Sequence, residues 1–200
     1  MNRETREVSS ASELQAAAAN SEVRQIVVSD AIAEMRTLRL SPGQVLTGAA
    51  NGRPVLRFAE GTDGVKLSAD NKVEGLMLIA DRDKRALFND TSVEQLGRLV
   101  LHDLTVEGVV QLLACDQVRG GHIEAHSIDI AAADARGYHD RPKGYGVEVI
   151  PGAFTLWNQH AARGDRTRHL RPHNWSRVCR LRGFRGQGAQ SGPSYDLWSK

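Results

Sequence analysis

Aromatic rings are scarce in this chain, 5% of its 200 residues. A core of such a sequence has to be filled by Leu, Val, Ile and Ala, which suits stacked aliphatic rows. Cysteine is scarcer still. Cys115 and Cys179 are the only two, far apart in sequence and too few for a disulfide framework or a zinc site. Both are expected to be reduced, with Cys115 a small buried apolar side chain. No run of 18 apolar residues occurs, so no helical membrane span is expected. Met1–Gln15 contains no apolar h-region. No signal peptide is therefore expected, and the chain is placed in the cytoplasm.

What is present is ordinary for a globular protein, with 40% hydrophobic and 25% charged residues. The net charge of +2 conceals an asymmetry. Residues 161–200 carry nine Lys and Arg against two Asp, and the rest of the chain is mildly acidic. Such a split points to a nucleic-acid-binding arm or to a tail of different origin.

Ala-rich Ser12–Ala19 has high helix propensity, with Ser10 or Ser12 as its cap and Asn20 as its end. Gln25–Val28 reads as a strand. Leu38–Gly48 alternates and is broken into two strands by Pro42-Gly43.

A repeat then emerges. The segments Gly97–Asp103, Gly121–Ser127 and Gly152–Asn158 each read Gly, any, apolar, any, apolar, a ring, and a short polar residue. With Val73 as an earlier copy, the ladder Val73, Leu99, Ile123, Phe154 has spacings of 26, 24 and 31. A second row sets Ala86–Asp90 against Leu112–Asp116 at 26, and a third sets Leu78 and Ala80 against Leu104 and Val106 at 26. Ile128 and Ile130 follow at 24. Three short alternating segments per period cannot bury their inward faces alone, but stacked coils bury them in one core. The Leu-x-x-Leu-x-Leu-x-x-Asn pattern of leucine-rich repeats is absent, and almost no helical periodicity separates the strands.

On these residues the chain resembles the right-handed parallel β-helix, or pectin-lyase-like, superfamily from about residue 10 to residue 158. The fold expected is all-β: a right-handed parallel β-helix of about 24–31 residues per coil, a short N-terminal capping helix and an irregular C-terminal tail. The expected division is β-helix over 1–158 and a basic Gly/Arg-rich tail over 159–200. The superfamily includes polysaccharide lyases, galacturonan hydrolases, phage tailspikes and adhesins. The hydrolase motifs Asn-Thr-Asp, Asp-Asp, Gly-His-Gly and Arg-Ile-Lys are not complete here: Gly121-His122 is followed by Ile123, and no two Asp are adjacent.

Three places offer chemistry. Asp81 and Asp83, among Arg82, Lys84 and Arg85, read as a solvated turn rather than a calcium cluster. His122, Glu124 and His126 share one parity on a strand, which suits a transition metal. Because His126 aligns with His102 and Trp157, a stacked ring row is the simpler account. No metal and no cofactor are expected. Asn89 and Cys115 share a row and read as inward turn residues. The coil from His122 to Gly152 is longer than its neighbours, the excess lying near residues 133–145. Such insertions become loops on one face of a stack. Arg136, Tyr138, His139, Asp140, Arg141, Lys143 and Tyr145 are the candidate ligand-binding residues. Their rings and cations suit a carbohydrate, although a solvated loop without ligand is the simpler reading. His139 beside Asp140 is weak for acid–base work, because neighbours on an extended chain point apart.

Beyond Asn158 the expected repeat stops. The basic tail fits a nucleic-acid-binding arm, a disordered linker, or translation in a shifted frame, and its Arg, Gly, Trp and His content suits the last best. Nucleic acid is thus a minor candidate partner. A shifted tail implies a longer natural β-helix whose open end would expose strand edges and favour self-association. The function expected is a non-catalytic scaffold or surface-recognition fragment, with a carbohydrate-active enzyme as the alternative.

Overall fold

The computed structural model describes residues 4–50, 52–114, 122–133, 146–150, 154–158, 179–182 and 185–186. They wind into a parallel β-solenoid of about 5 turns with one short helix. Among the described residues no helix is long and apolar enough to cross a membrane.

The chain opens with β1 (Glu4–Val8) and helix α1 (Ala11–Ala19). Ser10 caps the helix, its hydroxyl accepting from Glu13 N at 3.3 Å, while the Glu13 carboxylate accepts from Ser10 N at 3.2 Å. This reciprocal box satisfies two of the amides that a helix start leaves unpaired. Asn20 ends the helix, donating its N–H to the carbonyls of Ala16 and Ala17. Leu14, Ala17 and Ala18 are buried and join the core, so α1 covers the first coil.

The coils follow as β2 (Val23–Val28), β3 (Ile32–Met35), β4 (Leu38–Arg39), β5 (Val45–Gly48), β6 (Val55–Phe58), β7 (Val65–Leu67), β8 (Lys72–Ile79) and β9 (Arg85–Asn89). They continue as β10 (Arg98–Glu107), β11 (Val109–Ala114), β12 (His122–Ala132), β13 (Gly146–Ile150), β14 (Phe154–Asn158), β15 (Cys179–Arg182) and β16 (Arg185–Gly186). One sheet runs β1-β2-β5-β8-β10-β12-β15, with β3, β6 and β16 joined to it. The other runs β4-β7-β9-β11-β14-β13. Among the described residues every strand pairing is parallel except that of β13 with β14.

The larger sheet bends in mid-strand. Gly75, Asp103 and Ser127 stand opposite one another in β8, β10 and β12, with φ of 64°, 54° and 55°. Before the bend, β8 pairs with β5 through Lys72–Glu74; after it, with β6 through Met77–Ile79. The left-handed residue also changes the parity of the strand. In β10 the buried residues are Leu99 and Leu101 before the bend and Leu104 and Val106 after it. Strict alternation would send Leu104 outward, and the bend keeps it inward.

The register confirms one coil and corrects two. Leu99 faces Ile123, His102 faces His126, and Leu104 and Val106 face Ile128 and Ile130, the spacing of 24 read from the sequence. One coil earlier Val73 faces Leu101, not Leu99, and Leu76 and Leu78 face Leu104 and Val106, a spacing of 28 rather than 26. In the second sheet Leu87 faces Val110 and Phe88 faces Gln111, a spacing of 23, with a bulge between Val109 and Val110. Phe154 does not continue the row of Ile123. It lies in the second sheet opposite Val110, and Trp157 lies opposite Leu113, so the ring row of His102 and His126 does not include Trp157. Within 159–200, β15 and β16 pair in parallel with β12.

Candidate functional site

The candidate ligand-binding residues Arg136, Tyr138, His139, Asp140, Arg141, Lys143 and Tyr145 lie outside the described residues, as does Cys115. β12 ends at Ala132, and β13 pairs antiparallel with β14 from Gly146↔Asn158 to Ile150↔Phe154. Asp81 and Asp83 sit on a tight turn, where Lys84 N donates to the Asp81 carbonyl at 2.9 Å. The Asp81 carboxylate accepts from Gly61 N at 2.7 Å, and Asp83 is exposed, 3.9 Å from Lys84 Nζ. This is the solvated turn expected.

The outer face of the larger sheet carries the densest functional chemistry. Alternation turns Val73, Leu99, Leu101, Ile123 and Ala125 into the core, and so turns Lys72, Glu74, Arg98, His102, Glu124 and His126 outward. Lys72 Nζ meets Glu74 at 2.7 Å, and His102 Nδ1 lies 3.7 Å from the same carboxylate. Arg98 Nη2 alone donates to both oxygens of Glu124, at 2.9 and 3.1 Å, a charge-assisted contact between coils. His102 and His126 stand edge to face, their centroids 6.4 Å apart. Glu74, His102 and His126 therefore form one column across three coils. The 26-residue spacing would have put Leu76 at the place of Glu74.

A second group lies on the outer face of the smaller sheet. Asp90 is almost fully buried, yet it is a charged acceptor. Ser92 donates to its Oδ1 from N at 3.0 Å and from Oγ at 2.7 Å, Lys66 Nζ lies at 3.2 Å, and Arg39 lies 2.9 Å from Oδ2. The Arg39 contact is an ion pair without hydrogen-bond alignment, for Oδ2 accepts no bond. Burial pushes the Asp90 carboxyl up, but the Ser92 donors and Lys66 outweigh it and hold the group below the usual aspartate range. Asp63 behaves alike: burial raises it, and the forked contact from Arg85 lowers it further than burial raises it. The same guanidinium rests over Phe88, 4.0 Å from the ring centre. On the larger sheet, Arg53 reaches across β8 from two coils before to pair with Asp103 and to donate to Thr105 Oγ1 at 3.2 Å.

These carboxylates are counter-ions. A general acid needs a raised pKa near the working pH, and both shifted aspartates move the other way. Among the described residues no group of three or more His, Cys, Asp or Glu is arranged to hold a metal ion. Sequence reading found His126 opposite His102; it missed Glu74 beside them and the Asp90 cluster. Asp90 carried a signal in its Asp-x-Ser spacing to Ser92, the pattern of a side chain closing its own turn. Compared with known proteins, the chain matches no family model, no curated protein and no solved structure.

Proposed function

We propose that this chain is a non-catalytic β-helical scaffold that presents a polar outer surface for recognition, in the manner of the non-enzymatic members of the pectin-lyase-like superfamily. The observation that carries this reading is the use of its outward carboxylates. Glu74, Asp90, Asp103 and Glu124 each lie against a cation of the same or another coil. Asp63 and Asp90 are further held ionised. Groups so committed brace a stack, and proton transfer in a lyase or glycosidase asks for the opposite tuning. The partner suggested by the candidate loop is a carbohydrate, through Tyr138 and Tyr145 stacking and contacts from Arg136, Arg141 and Lys143.

The test is to incubate the full chain with polygalacturonate and with neutral plant and bacterial polysaccharides. New reducing ends and unsaturated uronate products are followed, and retardation in polysaccharide-containing native gels is measured alongside. The scaffold reading expects retardation without product. Product that rises in proportion to protein concentration overturns it in favour of a carbohydrate-active enzyme.

A further inference from the structure

We propose that His102 and His126 form a two-imidazole site for a borderline divalent transition ion, of the class of Cu2+, Ni2+ and Zn2+. The two residues are direct partners on neighbouring parallel strands, which sets their backbones about 4.8 Å apart. Both point away from the core, because Leu101 and Ala125 beside them point in. The His102 side chain is half-exposed, so water and ions reach it. Imidazole suits these ions, whereas Mg2+ and Ca2+ ask for oxygen.

The geometry needs only a small adjustment. The ring centroids stand 6.4 Å apart. Two imidazoles binding one ion tetrahedrally through bonds of about 2.0–2.1 Å bring their centroids to about 5 Å. A closure of about 1–2 Å is within reach of partly exposed side chains rotating inside their rotamer wells.

Glu74 sits beside His102 on the preceding coil, 3.7 Å from Nδ1. A carboxylate on one ring nitrogen leaves the other to the metal and fixes the ring. Glu74 is not itself counted as a ligand, since Lys72 holds it at 2.7 Å. The ion thus has two protein nitrogens and fills its other positions with water. It would bridge two successive coils and so stabilise the stack by mass action. This inference is independent of the scaffold reading.

The test uses the full chain titrated with CuCl2, NiCl2, ZnCl2 and MgCl2, followed by calorimetry and thermal unfolding. The first three ions are expected to bind and to raise Tm, copper most strongly, and Mg2+ to do neither. His102→Asn and His126→Asn are each expected to weaken binding by ~10-fold or more and to abolish most of the Tm rise. His122→Asn is expected to change little. Circular dichroism without metal checks that each variant folds. Cu2+ electron paramagnetic resonance gives a second readout, with two nitrogen couplings in the wild type and one in either single variant. If both single variants bind like the wild type, or if only one of them matters, the proposal is overturned.

Discussion

Asn71 donates its side-chain Nδ2 to the carbonyl of Gln44, 3.2 Å away on the preceding coil. The two occupy equivalent turns. Gln44 Oε1 accepts from Ser41 N at 2.8 Å, and Asn71 Oδ1 accepts from Ser68 N at 2.7 Å. In each turn the preceding residue is left-handed, Gly43 with φ 75° and Asp70 with φ 54°. Gln44 also donates to the carbonyls of Ala17, Asn20 and Val23, tying the end of α1 to the first coils.

Both amides are fully buried, so removing either strands backbone groups away from water. Gln44→Met and Asn71→Leu are each expected to cost about 2–4 kcal/mol. Urea unfolding midpoints measure this, and a loss under about 1 kcal/mol would show that the turns close without these bonds.

The 28-residue register between β8 and β10 can be tested by cross-linking. Lys72 faces Val100, and paired positions on adjacent strands fall within the Cα separations a disulfide spans. The double variant Lys72→Cys with Val100→Cys is expected to oxidise readily. Lys72→Cys with Arg98→Cys, the pair demanded by a spacing of 26, is expected to stay reduced. The reverse pattern in a gel-shift assay would restore the shorter spacing.

Stability should depend on acid through Asp63 and Asp90. Both have folded-state pKa values below their ordinary 3.8. Their contribution is therefore full above that value and is lost as pH falls through the lower native values. Asp63→Asn and Asp90→Asn are expected to be destabilised relative to wild type at neutral pH, with the gap closing below pH 3.8. A gap of constant size across an acid titration would mean that the charge is not what stabilises.

Gly64 marks a close approach of two coils. A Cβ there would lie 2.1 Å from the Ala86 carbonyl oxygen. Gly64 N also donates to the Arg85 carbonyl at 2.7 Å, so the coils cannot part without losing a ladder bond. Gly64→Ala is expected to cost about 2–3 kcal/mol. A thermal melt unchanged from wild type would show that the coils yield freely.

The local signals were legible. Ser10 or Ser12, Asn20 and Pro42-Gly43 read as helix start, helix end and strand break; Ser10 is the cap, and α1, β4 and β5 fall there. The spacing of 24 between β10 and β12 was readable because Leu99, Leu101, Leu104 and Val106 have apolar partners at every inward place. The repeated Ser-x-x-amide turn at Ser41 and Ser68 was also there to be seen.

What the sequence by itself determined is the composition of each coil: which residues alternate, where turns break the strands, and that the inward faces must stack. Apart from the 24-residue step between β10 and β12, it did not determine which coil lies on which, or by how many residues each is displaced. A shift of two keeps Val73 opposite an inward residue, Leu99 or Leu101, so 26 and 28 satisfy the apolar pattern equally before the bend; after it, 26 would set the inward Leu76 against the outward His102. A Gly-x-apolar-x-apolar strand fits either sheet, and only the pairing of Phe154 with Val110 assigned Trp157 to the second. The 28-residue register is closed by backbone hydrogen bonds across the turn at Asp70 and Gly97, where Asp70 N donates to the Leu96 carbonyl and Val100 N to the Asn71 carbonyl. That register, chosen by tertiary structure alone, is also what set Glu74 beside His102.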